Sequence, residues 1–533
     1  MKKFKQYYRV FFQIASLIVI ALLFWAVIKN PGLWWLFLIF LPFIAAGWYD
    51  VLQQKDNVRR NYPIIGTFKS LYVNERHVIV QEFIENSIEG SPFNWVQRDI
   101  VNIRSDNNLL TLAFGTELDI NSAGYDFWLH SMQPLPVQKD DLRISIGNNQ
   151  CIKPYNASIL NVSAMSFGSI SKNAVLAMGE GARLGGFALN TGEGGLADCH
   201  LSPGCDLIFQ FGTGYFGCRT KDGRFDPEKF QKIAIRPEVK MIEIKISQGA
   251  KPGYGAVLPA SKNTREIAAL RGVEPHTLIH SPGSHSAFSN PFELLEFINQ
   301  LRELSGGKPI GFKICIGIQH EFIALCKAML AKGIKPDFIV VDGSEGGTNA
   351  AHIESLHYVG TPIEIALPFV NNALVGFNLK KDITIIGCGK IITSFDVIRF
   401  LALGADAVYS ARAMMFAVGC TQALKCNTNE CPTGVTTMNP VLVKGLVVKE
   451  KKFRVANFHN NTIQGVKEML AAAGIKDFKE IIRSNIYRRV DHAKTMSLEE
   501  IYPGLKTGDL LKEPYPEQFE ELMRKAEINF KEN

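Results

Sequence analysis

Eight short apolar runs, each closing on a polar or glycine-rich loop and separated by longer mixed stretches, constrain this chain more than any other feature. They are Ser158–Ser163, Phe187–Asn190, Asp206–Phe211, Met241–Ile246, Ile310–Ile316, Asp337–Val341, Ile383–Gly387 and Ala405–Tyr409. A ninth, Thr277–His280, is weaker. Continuous apolar runs are the pattern of strands buried on both faces, which parallel sheets covered by helices produce. Helical patterns such as Phe292–Ile298 and Ser394–Leu401 lie between them. Eight such units predict an α/β fold, a (β/α)8 TIM barrel with its functional residues at the C-terminal ends of the strands. The rival is an open doubly wound sheet, but no strand leads into Gly-x-Gly-x-x-Gly. A hydrophobic content of 47% in 533 residues supports a large core. Ten cysteines are far too few for a disulfide scaffold. A net charge of +7 without a long Lys/Arg block gives no sign of a nucleic-acid partner.

The first fifty residues are of another kind. Val10–Ile28 is interrupted only by Gln13 and Ser16, and Leu33–Tyr49 carries no charge. Between them lies Lys29-Asn30-Pro31-Gly32, a turn signal. A helix crossing a bilayer needs about 17–25 apolar residues. The two runs therefore predict a transmembrane hairpin over residues 1–50, with spans at 10–28 and 33–49. Lys2, Lys3, Lys5 and Arg9 precede it, Lys55, Arg59 and Arg60 follow it, and only Lys29 lies between. The positive-inside rule then places both ends, and the catalytic domain, on the cytoplasmic side of the membrane. A cleaved signal peptide is the rival reading, disfavoured by the second run close behind the first. Residues 51–150 read as a lead-in segment with short alternating stretches such as His77–Phe83, residues 151–470 as the barrel, and residues 471–533 as peripheral helices and a tail.

The strand ends carry the chemistry. The loops after strands seven and eight, Gly387-Cys388-Gly389-Lys390 and Ser410-Ala411-Arg412, suit a phosphate, because backbone amides in glycine-rich turns bind phosphate and barrels habitually use these two loops. Two ordinary tight turns are the alternative. Gln210, Lys245 and Lys313 lie inside apolar runs. Burying a lysine is costly unless it is paired. It either meets an electron-rich cofactor or a carboxylate ligand, or forms an internal pair with Glu193 or Glu243. Cys420-x5-Cys426-x4-Cys431, followed by Pro432, is the sharpest signal. Three close thiols ligate iron–sulfur or zinc. Zinc prefers Cys-x2-Cys pairs and a fourth ligand, and no fourth Cys or His lies nearby. Three ligands without a fourth suit a three-iron cluster.

Taken together, Met165–Ser171, Asn190–Gly195, Ser247–Gly253, Gly346–Thr348 and Gly419–Val435 resemble, in order, the FMN-binding synthase domain of the glutamate synthase large subunit family, over about residues 60–450. The resemblance implies FMN and a [3Fe-4S] cluster on Cys420, Cys426 and Cys431. It implies an oxidoreductase in which electrons pass through the cluster to the flavin, and 2-iminoglutarate, formed from 2-oxoglutarate and ammonia, is reduced to L-glutamate. Carried over by position, Ser166, Gln210, Lys313, Gly387, Gly389, Ser410 and Arg412 would hold FMN. Glu193, Gln248, Lys251 and Arg271 would face the substrate, with Lys251 and Arg271 meeting its carboxylates and Glu193 or Lys251 moving a proton. The chain departs from the family pattern at Tyr254, where the family has an acidic residue, and at Val257, where it has a glutamine. It opens Met1-Lys2-Lys3, without the amidotransferase cysteine after the initiator methionine. No NADPH-binding or β-helical domain is expected, so the resemblance calls for ammonia and an electron donor, ferredoxin or a pyridine-nucleotide-linked subunit. The departures keep open an enzyme of the same scaffold acting on another 2-oxoacid or amine, giving an N-substituted glutamate, or a membrane-linked flavin dehydrogenase.

Overall fold

The computed structural model describes residues 8–54, 56–74, 76–108, 111–250, 253, 255 and 257–526. The chain divides into two compact units, Met1–Pro92 and Phe93–Asn533.

In the first unit, α1 (Tyr8–Lys29) and α2 (Leu36–Leu52) are joined by a 3-10 turn over Pro31–Trp35, capped where the Asn30 side chain accepts from the Gly32 amide. The segments Tyr8–Lys29 and Pro31–Leu52 have mean hydropathies of 2.6 and 1.8 and are long and apolar enough to cross a membrane. Only 11% and 17% of their most apolar windows are buried, so most of their apolar surface faces outward, unlike the core helix of a soluble protein. They pack through Gly47, where any Cβ would strike the Phe12 ring, and through Trp48 Nε1, which donates to Ser16 Oγ at 3.0 Å. Asp50, fully buried at the end of α2, accepts from Arg59 Nε (2.8 Å), the Ile64 amide (3.0 Å) and Thr67 Oγ1 (2.6 Å). The alternation across His77–Phe83 belongs to a helix, Arg76–Phe83. Runs this short fit either period.

In the second unit, eight parallel strands close into a barrel. They are β1 (Leu160–Val162), β2 (Leu189–Asn190), β3 (Leu207–Phe211), β4 (Val239–Lys245), β5 (Ile310–Ile314), β6 (Phe338–Asp342), β7 (Thr384–Cys388) and β8 (Ala407–Ser410). Register pairing of Val408 with Leu160 closes the ring. Each strand falls within or across one of the eight apolar runs. The ninth run supplies Ile279–His280, which pairs antiparallel with Val257–Leu258 outside the barrel. The interior is filled by Ala188, Ile208, Met241, Phe338, Val340, Ile386, Ala407 and Tyr409. The outer helices are started by local caps. Ser171 accepts from Ala174 N at the head of α3 (Lys172–Gly185), and Asn290 does the same for Pro291–Leu304. A long helix, α4 (Val448–Ala473), packs on α3 through Gly181, where a Cβ would lie 2.6 Å from Val455 Cβ.

The C-terminal region differs from expectation. Ile486–Arg489 and Thr495–Ser497 form a three-stranded antiparallel sheet with Asp126–Trp128, in addition to the helix Glu517–Lys525. Arg488 clamps Asp126 from Nε (2.6 Å) and Nη2 (2.8 Å). The partner strand lies some 360 residues upstream, so no local pattern marks it.

Three histidines in this unit are buried. His200 Nδ1 accepts the Ala197 amide, so that nitrogen carries no proton. Burial pushes His200, His285 and His459 down from 6.5 to about 4. Above pH 6.5 all three are neutral whether the chain is folded or not. Between pH 6.5 and 4 the unfolded chain takes up protons that the folded chain refuses, so stability is lost as pH falls. The thermal midpoint of the full chain in detergent should be level from about pH 8 to 6.5 and then fall steeply. A profile level down to about pH 4.5 would contradict this account.

Candidate functional site

The polar groups of the barrel gather at the C-terminal ends of its strands. Glu243 and Lys245 are two residues apart on β4 and therefore share a face. Glu243, fully buried, accepts from Gln210 Nε2 (2.5 Å) and Asn190 Nδ2 (3.1 Å). Lys245 Nζ donates to Glu193 Oε1 at 2.6 Å. Lys313 Nζ lies 3.3 Å from Asp342 Oδ2 and 3.8 Å from Cys388 Sγ. Asp342 Oδ2 also accepts the Gly249 amide (3.0 Å), while Asp342 Oδ1 is buried and has no partner among the described residues. Burial alone would drive the proton off Lys313, but Asp342, Cys388 and Glu243 outweigh it and hold the ammonium charged. Burial raises Glu243 above the usual carboxylate range, with Lys313 opposing. Behind this layer, His285 Nε2 lies 2.9 Å from the Lys245 carbonyl and its Nδ1 3.1 Å from the Tyr215 hydroxyl.

The loops after β6, β7 and β8 meet beside the cluster. Arg412 Nη2 donates to the Thr348 carbonyl (3.2 Å), and a Cβ on Gly347 would sit 2.7 Å from that nitrogen. Ser410 Oγ donates to the Ile391 carbonyl (2.8 Å). Gly389 has φ +154°, a backbone conformation that L side chains rarely adopt, and a Cβ there would sit in ordinary contact with Ile363 at 3.7 Å. Gly387 has a different reason to be glycine: a Cβ would lie 2.5 Å from the Phe400 ring. A Cβ on Gly192 would collide with the backbone of Ser166, so the β2 loop lies directly on the β1 loop. Arg271, 3% exposed, donates to the Phe167 carbonyl (3.1 Å) and lies 5.0 Å over the Phe216 ring, with Nε unpartnered. Burial lowers its guanidinium to about 10, against the opposing pull of Glu193. Gln248 is half-buried, and Lys251 and Tyr254 lie outside the described residues.

Cys420 and Cys426 are half-buried and Cys431 is buried. Burial raises the Cys420 thiol to about 11, and the charges of Cys426 and Cys431 add to that rise. For Cys431 burial also raises the thiol, but hydrogen bonds from Thr433 and Thr436 outweigh it and leave it below its ordinary value. Among the described residues no three His, Cys, Asp or Glu side chains converge tightly enough for a single metal ion. Three thiols in one loop are a donor set of the kind that iron–sulfur clusters use.

The sequence pattern brought Gln210, Lys313 and Glu193 to this layer but passed over Asp342, Asn190, Cys388 and Lys262 as site residues. Asp342 had a legible signal, a carboxylate ending the run Phe338–Val341. Lys262, alone in Pro259-Ala260-Ser261, had none.

A closed parallel barrel with paired charges and glycine-rich loops at its C-terminal mouth is the frame of a barrel enzyme. The conserved region of glutamate synthase matches residues 130–476. The chain is 35% identical to the glutamate synthase large subunit-like protein YerD of Bacillus subtilis, over 87% of this chain and 96% of YerD. It is 36% identical to the archaeal glutamate synthase [NADPH] of Methanocaldococcus jannaschii, over 61% of this chain and 60% of that one, and it matches 21% of the Bacillus subtilis glutamate synthase [NADPH] large chain at 31% identity. This chain belongs to the glutamate synthase family, oxidoreductases that act on CH–NH2 donors.

Replacing Lys313 removes the cation paired with Asp342, the one whose charge opposes the rise of Glu243. Lys313→Met should destabilise the fold by about 3–5 kcal/mol, as expected when one partner of a buried pair is removed. The remaining carboxylates would titrate higher in the folded chain than in the unfolded one, so the loss should deepen as pH rises. Thermal midpoints at about pH 5 and pH 8 test this. An equal loss at both would mean that packing, not charge, holds the layer.

Proposed function

We propose that this chain is a membrane-anchored, glutamate synthase-type enzyme that reductively aminates 2-oxoglutarate, through 2-iminoglutarate, to L-glutamate. FMN sits at the barrel mouth and a [3Fe-4S] cluster on Cys420, Cys426 and Cys431. The observation that carries the reading is Lys313, buried inside the barrel with its Nζ 3.3 Å from Asp342 Oδ2 beside the glycine-rich loop after β7. Ser166, Gln210, Lys313, Gly387, Gly389, Ser410 and Arg412 hold the flavin: Arg412 and the Gly389 turn suit its phosphate, and Lys313 and Gln210 its electron-rich ring. When bound, FMN supplies hydride to the imine carbon. Arg271 and Lys251 bind the substrate's carboxylates, Gln248 orients it, and Glu193, bonded to Lys245, moves the proton of imine formation. The outward apolar surfaces of α1 and α2 support two membrane spans with the barrel on the cytoplasmic side. The electron donor is a ferredoxin or a pyridine-nucleotide-linked subunit, and the nitrogen comes from ammonia.

Tyr254 and Val257 favour a second reading, the same reaction type on another 2-oxoacid or amine. Val257 pairs with His280 at the strand-like edge beyond the cluster, where an apolar side chain gives no hydrogen bond to a carboxylate.

The full chain purified in detergent should contain FMN and iron. Anaerobic reoxidation of the reduced protein should be fast with 2-oxoglutarate plus ammonium and slow with either alone. Faster reoxidation by a different 2-oxoacid or amine would select the second reading, and none by any pair would sink both. Cys426→Ser should lose iron while keeping flavin; iron unchanged per chain would remove that ligand.

A further inference from the structure

Lys262 is 1% exposed, yet no carboxylate among the described residues bonds it. Its ammonium donates to the carbonyl of Ser169 (2.7 Å) in the β1 loop and to that of Cys426 (3.2 Å) in the cysteine loop. A buried cation whose only partners are carbonyls is costly. Burial pushes its ammonium down to about 8 and Arg271 pushes the same way, while the charges of Cys426 and Cys431 oppose that fall. The same contacts make it a strut. Asn349 from the β6 loop donates to the same Ser169 carbonyl (2.7 Å), and Asn429 ties the cysteine loop to Ser261, the neighbour of Lys262 (3.0 Å). Lys262 is thus the side chain that joins the cysteine loop to the loop carrying Ser166.

We propose that Lys262 is a positioning residue and resident counter-cation for the iron–sulfur centre, making that centre easier to reduce. The inference rests on the cluster assignment above. One-electron reduction by the external donor adds one negative charge to the site and breaks no bond. A fixed cation in a low-dielectric interior favours the more negative state.

The test compares Lys262→Met, Lys262→Gln and Lys262→Arg in the full-length protein, reading iron per chain and the midpoint potential by anaerobic titration. Lys262→Arg should keep iron and potential. Lys262→Gln keeps a donor without the charge. It should keep iron and lower the reduced-to-oxidised ratio at fixed potential about tenfold, or ~59 mV for one electron. Lys262→Met should shift at least as far. Loss of iron from both neutral variants but not from Lys262→Arg also supports the proposal. An unmoved potential in an iron-replete neutral variant, or loss of iron from all three, overturns it. Wild-type protein without iron refutes the cluster reading itself, and this inference with it.

Discussion

Two lysines stand directly opposite each other on adjacent strands, and the whole site follows from how their charges are satisfied. Lys245 on β4 and Lys313 on β5 are register partners. Like charges placed directly opposite on a sheet repel, and in a barrel interior there is no water to screen them. The fold gives each its own carboxylate from a different direction: Glu193 from the β2 loop takes Lys245, and Asp342 at the end of β6 takes Lys313. The remaining acid, Glu243, is the register partner of Gln210 and is held by two amides. This arrangement fixes β2, β4, β5 and β6 relative to one another at the end where ligands bind. Among the described residues it leaves one buried acceptor, Asp342 Oδ1, without a hydrogen bond.

The barrel was legible because its evidence is local. A strand buried on both faces must be apolar at every position, and Phe338-Ile339-Val340-Val341 announces itself. The two apolar N-terminal helices were legible for the same reason. What escaped depends on partners far apart in sequence. Asp126 makes sense only beside Arg488, and the three-stranded sheet they stabilise draws on two ends of the chain. Among the site residues, Lys245, Lys313 and Gln210 were visible as polar interruptions of apolar runs, and Glu193 and Glu243 as carboxylates for them to meet, but Asp342 as the partner of Lys313 was not, because a barrel brings together residues at matching heights on different strands. Gly387 carries a reason to be glycine that no local pattern shows: any Cβ would lie 2.5 Å from the Phe400 ring, on a residue 13 positions away.

The cysteine loop is where local preference and observed geometry part most. Gln422, Leu424 and Asn429 all have positive φ, at 56°, 55° and 68°. Each non-glycine residue so placed costs about 1–2 kcal/mol, least for asparagine. Such a cost persists only where surrounding bonds over-determine it. Here they do. The Gln422 side chain brackets Phe93, accepting its amide and donating to its carbonyl, both at 3.0 Å. The Asn429 carbonyl and side chain take the Thr437 hydroxyl and the Met438 amide, at 2.6 and 2.7 Å. Both anchors hold the loop through groups other than the thiols, and within it Cys420 Sγ accepts the Gln422 amide (3.4 Å) while Cys431 Sγ lies 3.4 Å from the Thr433 hydroxyl. Strain held in this way accords with the ligand role proposed for Cys420, Cys426 and Cys431, because sulfurs held in advance of a metal lower the ordering cost of binding it.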